Sequence, residues 1–321
     1  MKNTALILYC VCLFAILTSG CDYSEIKSKA TTGNMNMSVD ENFRPLMEKL
    51  KDEFERLNPG AKLNISYKPT VNAITDLLNA DVKTVIICGD FDDTTRKWVE
   101  KYKIELQRFE IGTEGIAFIV NPDNPVERVT SEDLKKIFTG DYLKWSDIKA
   151  EDEQQNADVK TNMKGNLEKI KLFIQRPNSY TYSYVKDTVL TGKDYNKSAQ
   201  ICSTSIQMFD EIRQNKNAIG ISNMSALTRG SQDSLDASVK PLRISKIWAN
   251  GRQDDYTQFH IGLIAARKYP YFRKVILYTS ELGIQLSTGL ITFIRNTDGQ
   301  KVVMEYGIVP ANTPVRLIQL Q

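Results

Sequence analysis

Residues Gly115 to Ile148 constrain this chain more than any other stretch. Ile116 to Val120 is an apolar run of strand length, and the Pro and Asn residues that follow it form a turn. Thr130 and Asp133 stand at the spacing at which two side chains cap a helix start reciprocally. Leu134 and Phe138 then fall on one helix face, and Gly140-Asp141 turns the chain towards Trp145. The segment is one α/β unit: a buried strand, a turn, and a short capped helix.

The rest of the chain repeats that alternation. Phe43, Leu46, Met47, Leu50, Phe54 and Leu57 form a helical stripe, with Pro45 suited to its first turn and Asn58-Pro59-Gly60 ending it. Leu63, Ile65 and Tyr67 alternate as a half-buried strand, and Val71 to Leu78 reads as a short helix. Thr84 to Cys88 is a β-branched run that fits a strand covered on both faces. Thr94 to Lys103 reads as a helix with Trp98 turned inward, and Lys149 to Gly165 as a solvated loop. Further strands are expected at Lys171 to Gln175, Ala218 to Ser222, Val239 to Trp248, His260 to Ala266 and Lys274 to Tyr278. Further helices are expected at Tyr180 to Leu190, Ser205 to Arg213, Ile284 to Arg295 and Gly299 to Tyr306, and Val315 to Leu320 reads as extended. Strands alternating with helices imply mainly parallel sheets with covered faces, and the count favours two sheets over one.

The N-terminus reads as a leader. Lys2, an apolar run from Ala5 to Leu17 and small residues before Cys21 make residues 1–20 a secretory signal, because the run is shorter than the roughly 20 residues of a membrane span. Cys21 after those small residues resembles a bacterial lipoprotein processing site, where the Cys becomes the lipidated N-terminus. Residues 21–36 are polar and read as a tether. Of the five cysteines, Cys88 and Cys202 then remain, either bridged or as two separate buried thiols. His260, the single histidine, reads as a strand-end residue, and no Cys/His cluster is present to hold a metal. The formal charge of +3 drops to +2 when Lys2 leaves with the leader, which does not suggest nucleic acid.

The order of segments resembles the phosphate-binding proteins that feed ABC transporters. Gly115-Ile116-Ala117, the Asn-Pro turn, Ile137-Phe138 and Trp145 carry part of that resemblance. Ala218-Ile219-Gly220, Tyr269-Pro270, Asp298-Gly299-Gln300 and Gly307-Ile308-Val309-Pro310 carry the rest. The resemblance implies a type II periplasmic-binding-protein fold: two α/β lobes with a ligand cleft between them. One lobe would comprise residues 37–112 with 262–321, the other 113–261, with crossings near Glu110 to Gly115 and His260 to Ala266. It also implies a monomer that binds inorganic phosphate outside the cytoplasm, is held to the membrane by its lipid, delivers to a transporter permease, and needs no cofactor.

Site residues follow from the same resemblance. Arg176-Pro177-Asn178-Ser179-Tyr180-Thr181 ends a strand and opens a helix, where free N–H groups and the dipole favour an anion. Arg176 can grip two oxygens at once, and Ser179 and Thr181 add hydroxyl donors, with Tyr180 in the place of a small family residue. Asn42 and Phe43 stand where a helix start meets the anion, and Thr70 where the family presents a Ser. Asp90 is the candidate carboxylate for the P–OH proton, which sulfate lacks. The same fold could take another oxyanion or acidic solute, or serve as a surface or sensory lipoprotein without a ligand. An enzyme is disfavoured by the single His and the lack of a G-x-S-x-G elbow.

Overall fold

The computed structural model describes residues 29–228 and 234–312. The signal segment, Cys21 and the extended reading of Val315 to Leu320 lie outside the described residues. The first lobe opens with β1 (Gly33–Asp40), whose partners β2 (Ala61–Lys68) and β3 (Thr84–Cys88) both run parallel to it. Residues 33–36 are therefore ladder residues, and the tether reading is too long at that end. Helix α1 (Arg44–Leu57) buries Leu46, Met47, Leu50 and Phe54 on this sheet, while Leu57 is 51% exposed. Helix α2 (Thr70–Leu78) buries Ala73 and Leu77. Helix α3 (Asp93–Lys101) buries nothing: Trp98 is 47% exposed and leans on Tyr102, so it faces solvent and not the core.

The 14-residue strand β4 (Gln107–Val120) then leaves for the second lobe. There β5 (Arg128–Thr130) leads into α4 (Ser131–Thr139), whose start carries the reciprocal Thr130–Asp133 cap. Trp145 is fully buried, and its Nε1 donates to the Asn217 carbonyl at 3.1 Å. The expected loop after it holds a helix, α5 (Glu153–Asn162). That helix buries only Gln155 and Val159, too little apolar surface to leave a stripe in the sequence. Strands β6 (Lys171–Gln175), β7 (Gln200–Cys202) and β8 (Ala218–Asn223) alternate with α6 (Tyr180–Thr188), α7 (Ser205–Gln214) and α8 (Met224–Thr228).

The predicted strand at Val239 to Trp248 is broken into β9 (Lys240–Pro241) and β10 (Arg243–Ser245). His260 to Ala266 is not a strand but a helix, α9 (Ile261–Ala265), and His260 is its N-cap, with Nδ1 accepting from the Gly262 N–H at 3.1 Å. Strand β11 (Phe272–Thr279) returns to the first lobe, which closes with α10 (Leu286–Arg295), α11 (Thr297–Glu305) and β12 (Val309–Pro310).

One ten-stranded sheet runs through both lobes, in the order β2-β1-β3-β11-β4-β8-β6-β7 with β9 and β12 also on β4, in place of one large sheet per lobe; β5 and β10 pair apart from it as a small two-stranded sheet. Strand β4 makes this possible. It pairs with β11 from Gln107 to Gly115 and with β8 from Ile116 to Val120. The outer strands of each lobe are parallel, as expected, whereas β11 is antiparallel to β3 and β4, and β4 is antiparallel to β8. Two strands that carry the chain out and back between the same lobes must run in opposite senses when they lie side by side. The apolar cores divide accordingly, two built from residues of 35–111 and 275–308 and one from 116–271. Phe259, Ile264, Tyr269 and Tyr271 pack in the second core, so the return falls at Tyr271–Phe272, later than residue 262. Cys88 and Cys202 are free, buried thiols in different cores.

Candidate ligand cleft

The carboxyl ends of β1 and β6 meet where the lobes touch, the place at which open α/β sheets take ligands. From β1 the chain passes Asp40 into a single 3-10 turn, Glu41–Phe43, before α1. From β6 it passes Arg176 and Asn178 to Ser179, the N-cap of α6. Ser179 Oγ accepts from the Tyr182 N–H at 3.2 Å. Several contacts cross between the lobes. The Val71 N–H donates to the Asn178 carbonyl at 3.4 Å, and Asn178 Nδ2 donates to Asn72 Oδ1 at 3.1 Å. Ser205 Oγ reaches Asn42 Oδ1 at 3.4 Å, and Arg176 Nη2 donates to Glu41 Oε1. Beside these contacts lies a cavity of about 690 Å³, lined among others by Glu41, Asn42, Arg44, Arg176, Ser179 and Phe209.

The structure divides the eight expected residues. Asn42, Arg176 and Ser179 line the cavity. Arg176 is half-buried, and its Nε is buried without a hydrogen-bond partner. Phe43, Thr70, Tyr180 and Thr181 stand behind that wall. Phe43 packs in the first core; Thr70 Oγ1 is spent on Asp40 Oδ2, and Thr181 Oγ1 accepts from Arg273 Nη1 at 2.8 Å. Tyr180 reaches across to the other lobe: a Cβ on Gly89 would sit 2.0 Å from its ring and hydroxyl, so glycine there leaves the ring its space. Asp90 is not in the cleft. It is exposed, forms a fork with Arg108 at 2.6 and 3.0 Å and accepts from the Tyr278 hydroxyl at 2.8 Å. The Arg108 hydrogen bond holds its carboxyl below the ordinary range. The acidic run around Asp90 forms a surface turn because a partner for its charge sits on β4, outside the cleft.

The sequence reading missed a buried charge network under the cleft. Arg273 on β11 and Glu114 on β4 are fully buried neighbours in register, and Arg273 Nε and Nη2 reach Glu114 Oε2 at 3.2 and 3.0 Å. Glu114 also accepts from Asn223 Nδ2 at 2.6 Å and from the Ser225 hydroxyl and N–H. Burial works against the Arg273 charge, but Cys88, Glu114 and Asp40 favour it, and the balance lies above the ordinary value. No motif marks these residues. The one signal was a charged residue inside each of two apolar strands, and sequence alone does not pair them.

Asp40 is the second buried acid. Burial pushes its carboxyl above the ordinary 3.8, against the pull of Arg273 and hydrogen bonds from Thr70 and the Asn42 N–H. A carboxyl raised by folding keeps its proton longer in the folded state than in the unfolded chain. The stability it contributes is therefore present in acid and falls as pH rises from 3.8 through the raised value. Asp40→Asn should remove that fall. Urea midpoints taken between about pH 4 and about pH 7 should decline more in the parent than in the variant; parallel profiles would count against this assignment.

The family described as the PBP superfamily domain matches residues 26–296. The phosphate-binding protein PstS of Pseudomonas aeruginosa is 22% identical over 295 residues, covering 88% of this chain and 85% of its own. PstS of Bacillus subtilis is 21% identical over 326 residues, covering 96% and 94%. Among solved structures, a Clostridium perfringens protein with bound phosphate superposes with a TM-score of 0.69 at 19% identity, over 87% of this chain and 100% of its own. An ABC-type phosphate transport receptor from Vibrio cholerae gives 0.63 at 18%, again over 87% and 100%. At these identities the structural likeness speaks to the fold alone, and that fold is the two-lobed one described above.

Proposed function

This chain belongs to the PBP superfamily-domain family and has its two-lobed periplasmic-binding-protein fold; from that premise we propose that it captures inorganic phosphate outside the cytoplasm and hands it to an ABC transporter permease. The observation that carries the proposal is Arg176 at the mouth of α6, paired across the cavity with Glu41. An oxyanion entering the cleft replaces the Glu41 carboxylate on Arg176 Nη2, gives the unpartnered Arg176 Nε an acceptor, and accepts a hydrogen bond from the Ser179 hydroxyl, whose oxygen lone pair already caps α6. Asn42 lines the same cavity from the first lobe, so binding draws on both lobes and biases their closure. Cys21 would carry the lipid, and the protein would act as a monomer at the membrane surface.

Selectivity cannot come from Asp90, which is engaged elsewhere. Glu41 is the carboxylate that lines the cavity, and it can accept the proton of hydrogen phosphate while repelling sulfate, which has none to give. Thermal melting with phosphate, with sulfate and without either tests the reading. Phosphate at 100 times its dissociation constant should add about 2.7 kcal/mol, and sulfate much less. Equal shifts would favour the broader oxyanion binder, which the outward pairing of Asp90 also favours. No shift with either anion would remove the proposal.

A further inference from the structure

Uncovered carbon surface is gathered at one end of the first lobe, the end remote from the cleft. Among the described residues ten large apolar side chains are well exposed, and five of them lie here: Leu57, Trp98, Tyr102, Leu282 and Ile284, each between 42% and 58% exposed. None of the five belongs to an apolar core or packs against one. The sheet brings their segments together. Strands β1, β2 and β3 begin at this end, with Gly33 opposite Ala61 and Met37 opposite Thr84. Strand β11 ends and β4 begins there, with Thr279 opposite both Thr84 and Gln107. Leu57 closes α1 just before β2, Trp98 and Tyr102 stand at the end of α3 on the way to β4, and Leu282 and Ile284 lie between β11 and α10.

The described chain also enters at this end. Thr32 lies against Gly60, and the Ala30 carbonyl against Gly289 of α10. Eight residue steps separate Lys29 from Cys21, which is at most about 29 Å of chain. A lipid on Cys21 therefore keeps this end beside the bilayer, while the cleft lies past the opposite end of β1. Charge does not choose the partner, because exposed Lys83, Lys101 and Lys103 are matched by exposed Asp81, Glu100 and Glu105. What the end offers is aliphatic surface and two rings that are apolar at one edge and polar at the other. Such rings settle at the level of lipid headgroups, and aliphatic side chains gain by leaving water for the acyl boundary.

We propose that this end of the first lobe is a membrane-contact surface, on which Leu57, Trp98, Tyr102, Leu282 and Ile284 rest in the leaflet that carries the Cys21 lipid. The inference goes beyond phosphate capture and rests on the Cys21 anchor alone. Seated in this way, the protein holds its second lobe and its cleft towards the solvent from which the anion comes. No charge pairing locks the seat, so the protein can leave it to reach a permease.

Fluorescence of the lipidated protein in phosphatidylcholine vesicles with brominated acyl chains tests the proposal. Of the three tryptophans, Trp145 is fully buried and Trp248 is exposed on the second lobe. The bromines should quench the emission; Trp98→Phe should lose most of that quenching and Trp248→Phe should keep it. The double variant Leu282→Glu with Ile284→Glu should lose it too, while phosphate still raises its melting midpoint as in the parent. Quenching that survives Trp98→Phe or the double variant would overturn the assigned surface. No quenching in the parent would overturn the membrane seat and leave phosphate capture standing, and a dimer in detergent solution that the double variant dissolves would give the surface to a second copy instead. Protein that purifies without lipid would remove the anchor, and this inference with it.

Discussion

Arg273→Met should be the most damaging single substitution in this protein, lowering the unfolding free energy by about 3–5 kcal/mol. The change leaves the Glu114 carboxyl fully buried and stripped of its fork, with only Asn223 and Ser225 donating to it. It also leaves the Thr181 hydroxyl without the Arg273 donor it now accepts from. Domains of ordinary stability hold only 5–15 kcal/mol, so the loss is a large share of the whole. Urea denaturation reads it directly as a lower midpoint at unchanged slope. The double variant Arg273→Met with Glu114→Gln should lose less than the two single losses added, because the second change removes the stranded carboxyl. A single-variant loss below about 1 kcal/mol, the scale of an exposed ion pair, would mean that water reaches the pair.

Arg176→Ala should abolish most of the response to phosphate while leaving the fold intact. Its guanidinium is half-exposed and touches Glu41, so the lost ion pair costs little stability by itself. Charge-assisted hydrogen bonds are each worth about 1.5–3 kcal/mol, so affinity should fall roughly 10- to 150-fold for each one lost. Arg176→Lys should recover only part of it, since a point charge cannot grip two oxygens in one plane. Glu41→Gln separates the partners' roles: it should raise the affinity for sulfate more than that for phosphate, because it removes the repelling charge. An Arg176→Ala protein that still melts higher with phosphate would move the anion elsewhere in the cleft.

The parts of this molecule that local chemistry decides were readable in the chain. The Leu46-to-Phe54 stripe, the Thr130–Asp133 cap and the Ser179 helix start all stand where the spacing put them. The misreadings share one cause, which is that tertiary neighbours outvoted the local pattern. Helix α5 packs through an amide and a single valine, so no periodicity announces it. Ile261 to Ala265 is apolar throughout and reads equally as strand or helix until His260 caps it. Trp98 packs at a tilt against Tyr102 at the surface where a large apolar residue was expected to turn inward. At the cleft, Arg176 and Ser179 were legible because a strand end opening a helix is a local signal. Asp90 was misplaced because its partner Arg108 comes from another strand. Arg273 and Glu114, 159 residues apart, were invisible for the same reason.

Strands β4 and β11 pair from Phe272 opposite Gly115 to Thr279 opposite Gln107, with one shift of register between Val275 and Ile276 that leaves Ile111 without an opposite residue. A two-ply ribbon flexes across its flat side but cannot slide, since sliding would break every rung together, at about 1 kcal/mol apiece. Movement of one body against the other is thereby reduced to bending along a single arc. Spin labels on α1 and α7 should therefore report one distance that shortens or lengthens with loading, and no second, sheared population.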